Sequence, residues 1–355
     1  MTNFSTLSIT SRPATGAAPH GGRPAALFTM DPEHLPTLFP PALLGRLRDL
    51  LDIDETLVAR RFDQESLAPT LAGTEILITG WGAQRLDRTA LEAAPRLRAV
   101  LHAAGTIREV ISDACWERGL LVSSAAQANA LPVAEFTLAA ILLAGKDAFS
   151  IQQSLQTGHR LSPRRADLPA IGNFGRKVGI IGASRVGRRV LDLLRPFDLR
   201  VCLSDPYVDA VEATRLGVPL VSLDELLADS DIVSLHAPDT PETYRLLDRR
   251  RLASIRDGAT LINTARGALI DPDALAAELI SGRLNAVLDV TEPEPLPRNS
   301  LLYGLPNVFV TPHIAGSLGN ELERLGRSVV EEVERLVAGL PLRHQVLRAD
   351  LGRIA

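Results

Sequence analysis

Short apolar runs of four or five residues alternate with segments of helical period along most of this chain. Ala25–Thr29 is the first such run, and Pro40-Pro41 then opens a helix whose Leu43, Leu44, Leu47, Leu50 and Leu51 share one face. Further runs at 75–79, 97–101 and 120–123 predict strands, with a short helix over 111–118 closed by Gly119. A helix from Pro132 to Lys146 carries Val133, Phe136, Leu138, Ile141 and Leu142. Being apolar nearly all round, it predicts burial between domains or between subunits. From 147 to 176 the pattern breaks into polar and basic residues and yields no element. The alternation then resumes, with strands predicted at 178–181, 200–204, 219–221, 232–236, 260–263, 285–289 and 308–311 and helices at 186–194, 224–228 and 273–281. A last amphipathic helix over 318–338 is placed to return to the first domain. Strands and helices alternating in this way imply α/β architecture, parallel sheets with helices on both faces.

Composition narrows the picture. A length of 355 residues suggests two domains, and 46% hydrophobic content supports two cores. The net charge of -4, without a basic cluster, argues against a nucleic-acid partner. Two cysteines in apolar segments, Cys115 and Cys202, favour small buried thiols and a reducing compartment over a disulfide framework. Residues 1–22 are rich in Ser, Thr, Gly and Pro and read as a disordered tail without a signal-peptide core. The most apolar run, 136–145, falls short of the roughly 20 residues of a membrane span. The expectation is a soluble, cytoplasmic protein with no membrane partner.

The stretch 177–206 is the most informative. An apolar strand ends at Gly182-Ala183-Ser184-Arg185-Val186-Gly187, Val186, Val190, Leu191 and Leu194 recur at helical spacing, and a second strand closes at Asp205. This order is the βαβ unit that seats a dinucleotide pyrophosphate on a helix N-terminus, with a carboxylate for the adenosine ribose. Ser184 stands where the pattern GxGxxG has its second glycine. Beyond it, polar residues fall at strand ends: His236, Arg266 in LINTARG, Asp289 in AVLDV, and His313 in TPH, with Glu294 in the loop TEPEP. Singly, each has a bland reading as surface ion pair, solvent-facing loop or structural histidine; their order behind a dinucleotide loop makes the signal.

In that order the motifs resemble the D-isomer-specific 2-hydroxyacid dehydrogenase family, from Arg23 onward and most specifically between Gly182 and Gly316. The resemblance implies two doubly wound domains: a flavodoxin-like substrate domain over 23–130 and 318–355, and a Rossmann NAD-binding domain over 131–317. It implies hydride transfer between NAD and a small 2-oxo or D-2-hydroxy acid. His313 would be the acid and base, Glu294 its hydrogen-bond partner, and Arg266 the clamp for the substrate carboxylate. Gly182, Ser184, Arg185, Val186 and Gly187 would hold the pyrophosphate, Asp205 the ribose, and Ala237 and Pro238 the adenosine side. Thr264, Ala265, Asp289 and Gly316 would line the nicotinamide side, and Ala104 and Gly105 the substrate carboxylate loop. Asp205 favours NAD over NADP. No metal site and a homodimer are implied. His236 is a rival imidazole, read as structural or cofactor-adjacent because no Glu-Pro loop accompanies it.

The chain departs from the family at Ser184, at His159 where many relatives have tryptophan, at Thr106-Ile107-Arg108-Glu109, and at Ala130 after Asn129. Arg108 is open to two readings, partner of a second acidic substrate group or surface charge. The alternative from another class is an NAD(H)-sensing binding protein of the corepressor type that retains the same residues.

Overall fold

The computed structural model describes residues 22–158 and 171–351. The tail expected over 1–22 lies outside these residues except for Gly22, and so does His159. Two parallel sheets organise the chain. The first contains β1 (Ala25–Thr29), β2 (Asp52–Ala59), β3 (Ile76–Thr79), β4 (Ala99–His102) and β5 (Leu121–Ser124) in the order β2-β1-β3-β4-β5, the flavodoxin-like order. The second contains β6 (Lys177–Ile181), β7 (Arg200–Ser204), β8 (Ile232–Leu235), β9 (Thr260–Asn263), β10 (Asn285–Leu288) and β11 (Val308–Val310) in the order β11-β10-β9-β8-β6-β7. Order reverses at β6, which lies between β7 and β8, so the ligand crevice of this sheet opens beyond those strand ends. The expected strand at 219–221 is reduced to a single parallel bridge between Leu203 and Leu220. Three residues outside β7, one of them a proline without an N–H, cannot sustain a ladder.

Strand β2 escapes sequence reading because it is an edge. It pairs only with β1, shifts register between Ala26 and Phe28, and carries Asp52, Asp54 and Glu55. Charge on an edge blocks further pairing and disguises the strand.

The expected helix at Pro132 in fact runs from Ala126 to Gly145, with Pro132 buried inside it. Ala126, Ala128 and Ala130 favour helix strongly enough to extend it ahead of the proline, which removes only one internal hydrogen bond. At 20 residues and mean hydropathy 1.5 it has the length and apolar character of a membrane span, unlike the shorter run read from the sequence. In this fold it is the spine between the sheets, packed on the helix Arg185–Leu194, on β8 and β9, and on the C-terminal helix. The unassigned segment after it forms a helix, Ala148–Gly158, whose Phe149 stacks on Phe309 of edge strand β11 with ring centroids 4.5 Å apart.

The C-terminal helix, Leu322–Val337, packs on the helices Pro41–Leu50 and Leu35–Leu38. Its Leu325, Val329, Val330, Val333 and Leu336 enter one core with Phe28, Ile78 and Leu101 of the first sheet. Buried Glu332 then fixes the departing chain by accepting from the backbone N–H groups of Arg343 and His344 at 3.0 and 2.9 Å.

Candidate functional site

The turn after β6 is built as a helix start. Gly182 takes φ +96, and a Cβ there would lie 2.6 Å from the Ala237 nitrogen; one on Gly187 would lie 2.1 Å from the Gly182 carbonyl oxygen. Only glycine allows these approaches. Ser184 has φ -64, which demands no glycine, and its Oγ accepts from Gly187 N at 3.3 Å as the N-cap of Arg185–Leu194. The serine therefore replaces conformational freedom with a cap. Asp205, at the end of β7, accepts from Ala183 N at 2.6 Å and from Tyr207 N at 2.7 Å, locking the carboxylate to the glycine loop. Arg188 is occupied by the Ala183 carbonyl and Glu212, at 2.7 and 2.6 Å.

Three neighbouring strands, β9, β10 and β11, carry the other polar groups at their carboxyl ends. Arg266 follows β9, Asp289 and Glu294 follow β10, and His313 follows β11. His313 Nδ1 and Glu294 Oε1 are 2.6 Å apart and partly open to solvent. The histidine backbone has φ +57, an uncommon conformation for a residue with a side chain. Buried Asp289 holds it there: the carboxylate accepts from Thr311 Oγ1 at 2.6 Å, Ile314 N at 2.8 Å and Ala315 N at 2.9 Å, bracketing the histidine on both sides.

The crevice between the sheets is a cavity of about 110 Å³ lined by Gly105, Thr106, Ala126, Asn129, Ala130, Val133, Ser184, Arg185, Val186, His236, Ala237, Thr264, Ala265 and Arg266. Eight of the expected residues thus share one space. Gly182, Gly187 and Asp205 lie outside this lining and shape the glycine turn that borders it. Ala104 is buried beside Gly105. Pro238 follows Ala237 in the loop after β8, its carbonyl accepting from Thr243 Oγ1 at 2.6 Å. The His313–Glu294 pair lies outside this cavity lining, joined to it through Gly316-Ser317, whose Ser317 N donates to Asn129 Oδ1 at 2.9 Å. Thr264 is positioned by Thr137 of the spine helix, hydroxyl to hydroxyl at 2.8 Å. Arg266 donates to its neighbour Ala265 O at 2.6 Å, and no carboxylate pairs with it among the described residues.

Two residues matter more than their sequence context suggested. His236 is buried, its Nε2 lies 2.9 Å from Ser234 Oγ, and its Nδ1 has no partner among the described residues. Burial pushes its pKa down to about 3, so the ring is neutral. Arg108 is exposed, as the surface-charge reading has it, and it also donates to the Asp239 carbonyl beyond β8 at 2.6 Å and to Leu351 O at 2.7 Å, tying the first sheet's loop to the loop after β8 and the C-terminal segment. A single arginine in a departing loop gave no signal for that bridge. Arg185 is half-buried; desolvation lowers its pKa, while Asp350 of the same C-terminal segment acts in the opposite direction. Asp31, Glu33 and His34 bring potential ligand atoms within 4.8 Å of one another, but Asp31 is paired with Arg60 at 3.2 Å and the group lies away from this lining.

The cleft fits a dinucleotide on its own geometry. A glycine turn without room for side chains leads into a capped helix N-terminus, a fixed carboxylate stands at the next strand end, and a buried imidazole nitrogen lacks a partner on the cavity wall.

Comparison with known proteins gives the same picture. Residues 138–315 match the model described as "D-isomer specific 2-hydroxyacid dehydrogenase, NAD binding domain". The D-3-phosphoglycerate dehydrogenase of Mycobacterium bovis is 36% identical over 278 residues, covering 78% of this chain and 52% of that protein. This chain therefore spans about half the length of the first curated relatives it matches. The (S)-sulfolactate dehydrogenase of Chromohalobacter salexigens is 35% identical over 284 residues, covering 79% of this chain and 90% of that one. Among solved structures, the TT0316 protein of Thermus thermophilus superposes with a TM-score of 0.73 at 31% identity, covering 91% of this chain and 100% of that one.

Proposed function

The chain belongs to the D-isomer specific 2-hydroxyacid dehydrogenase family, and from that premise we propose that it interconverts a 2-oxo acid and its D-2-hydroxy acid with NAD. The observation that carries this reading is the placement of Arg266, on the cleft wall without a carboxylate partner among the described residues, and of the His313–Glu294 pair at carboxyl ends of the same sheet. Bound NAD supplies or accepts the hydride. Arg266 holds the substrate carboxylate, a task suited to a planar two-pronged donor. Glu294 meets Nδ1 of His313, which leaves Nε2 to give a proton to the ketone oxygen during reduction and to take it back during oxidation. Asp289 holds the histidine loop in place. Asp205 receives the ribose hydroxyls, and Arg188 nearby is already engaged by Ala183 O and Glu212 rather than open to a 2′-phosphate. NAD is accordingly preferred to NADP.

Substrate size follows from the lining. Apart from Arg185 at the glycine loop, Arg266 is the only cationic side chain on the cavity wall among the described residues, and the rest of the first-domain side is Gly105, Thr106, Ala126, Asn129, Ala130 and Val133. One guanidinium for one carboxylate, with small uncharged neighbours, favours 2-oxo acids without a second anionic group. Glyoxylate and pyruvate should therefore outperform phosphohydroxypyruvate in kcat/KM, the reverse order excluding this substrate class. Replacing Arg266 with Lys should raise KM for the 2-oxo acid by about 10- to 100-fold, as expected for a lost charge-assisted pair, with NADH affinity little changed; an unaltered KM would remove Arg266 from the role.

The segments 23–130 with 318–355, and 131–317, are taken as the substrate-side and nucleotide-side domains, supported by separate hydrophobic cores beneath the two sheets. A homodimer is supported by exposed Leu143 and Leu155 on adjoining helices. Two free thiols, both pushed up by burial, suit a reducing cytoplasm.

A further inference from the structure

A second cavity lies behind the loop that carries Glu294, away from the nucleotide crevice. It has a volume of about 330 Å³, within the range of small-molecule sites. The helix Pro272–Ile280 supplies one wall through Leu275, Ala276 and Ile280; Leu288 and Val290 from β10 and its exit form another, and Leu296 and Leu302 close the far side. Gly267, the neighbour of Arg266, also lines it, packed so closely on the loop that a Cβ would lie 2.1 Å from Thr291 O. Exposed Ile280 and Leu301 lie at its mouth.

The charged groups on this wall are of one sign. Asp273 and Glu292 both line the cavity, and no lysine or arginine among the described residues does. Glu292 Oε2 is buried and has no hydrogen-bond partner among those residues. Arg245 acts electrostatically on Glu292, but it is shared with Asp271 at 3.4 Å and lies over the Tyr244 ring. Leaving a carboxylate oxygen out of water without a donor is unfavourable, a cost that a cationic ligand would reverse.

We propose that this cavity binds a small organic amine, its apolar body among Leu275, Leu288, Leu296 and Leu302 and its ammonium group against Glu292. An alkyl or aralkyl primary amine satisfies both requirements: apolar surface to fill the cavity and up to three donors for the orphaned oxygen. A carboxylate of the same size meets two like charges. The site does not depend on the reaction proposed above.

The test is calorimetric titration of the intact protein with 2-phenylethylammonium and, separately, phenylacetate. The amine should bind saturably and phenylacetate should not. Glu292→Gln should weaken amine binding at least about tenfold, as a lost charge-assisted hydrogen bond implies. Ala276→Phe should fill the cavity and abolish binding, with its thermal unfolding in the absence of amine reporting that it folds. If that variant does not fold, Glu292→Gln alone decides. Absence of saturable amine binding, equal binding of phenylacetate, or an unchanged affinity in Glu292→Gln would each overturn the proposal.

Discussion

His313 shows how much of a site a single residue's neighbours can hold. Its φ of +57 is disfavoured for a side-chain-bearing residue, and Asp289 maintains it through Thr311, Ile314 and Ala315. The sequence exposed the pair of motifs, LDV and TPH, because each follows an apolar strand. It could not show that one grips the other, since the contact spans 22 to 26 residues and depends on β10 and β11 being neighbours. Asp289→Asn would set an amide N–H₂ against one of the backbone donors. It should lower stability by about 1–3 kcal/mol and kcat at least about tenfold, read from urea midpoints and steady-state rates. A fall in NADH affinity alone, with stability intact, would return Asp289 to a purely cofactor-binding role. His236 was legible as a polar residue at a strand end; its orphaned Nδ1 depends on burial at the end of β8 and had no sequence signal.

Among the elements, those whose apolar period matched their surroundings were readable, and those defined by a neighbour were not. Strand β1 and the glycine-loop helix coincide closely with their patterns, whereas charged β2 and the extended spine helix required the sheet and the second domain around them. The C-terminal helix illustrates both cases. Its amphipathic face was plain, but the reason for Gly326 lies in its partner: a Cβ there would fall 1.7 Å from Leu38 O. Gly326→Ala should therefore destabilise the protein by about 1–3 kcal/mol through forced separation of the helices, although alanine is the better helix former. Chemical denaturation showing a neutral or stabilising effect would contradict this close packing.

Across the whole molecule, two sheets are joined by the spine helix, by Asn129 to Ser317 and by Arg108 to Asp239 and Leu351, so the cleft is lined from both sides while Arg266, Glu294 and His313 all follow strands of the second sheet. Each sheet also buries a neutral histidine: desolvation lowers His102 to about 4 and His236 to about 3. In the unfolded chain these groups titrate near 6.5. Their contribution to stability is therefore fully present above about pH 6.5 and is lost as pH falls toward the folded values, because the unfolded state takes up protons first. Each can contribute up to about 1.4 kcal/mol per pH unit in that window. Urea midpoints between pH 7.5 and 5 should fall, and the double variant His102→Asn, His236→Asn should show a shallower fall; an equal slope would assign the acid sensitivity elsewhere. The central claim, that Arg266 binds the substrate carboxylate while His313, two strands away, carries out hydride-coupled proton transfer, is tested most directly by following NADH absorbance with a panel of 2-oxo acids for the native protein and His313→Ala. The account predicts saturable NADH oxidation by the native protein and at least about a hundredfold lower kcat in the variant, with NADH binding retained. Tight NADH binding without turnover of any 2-oxo acid, or undiminished turnover in the variant, would contradict it.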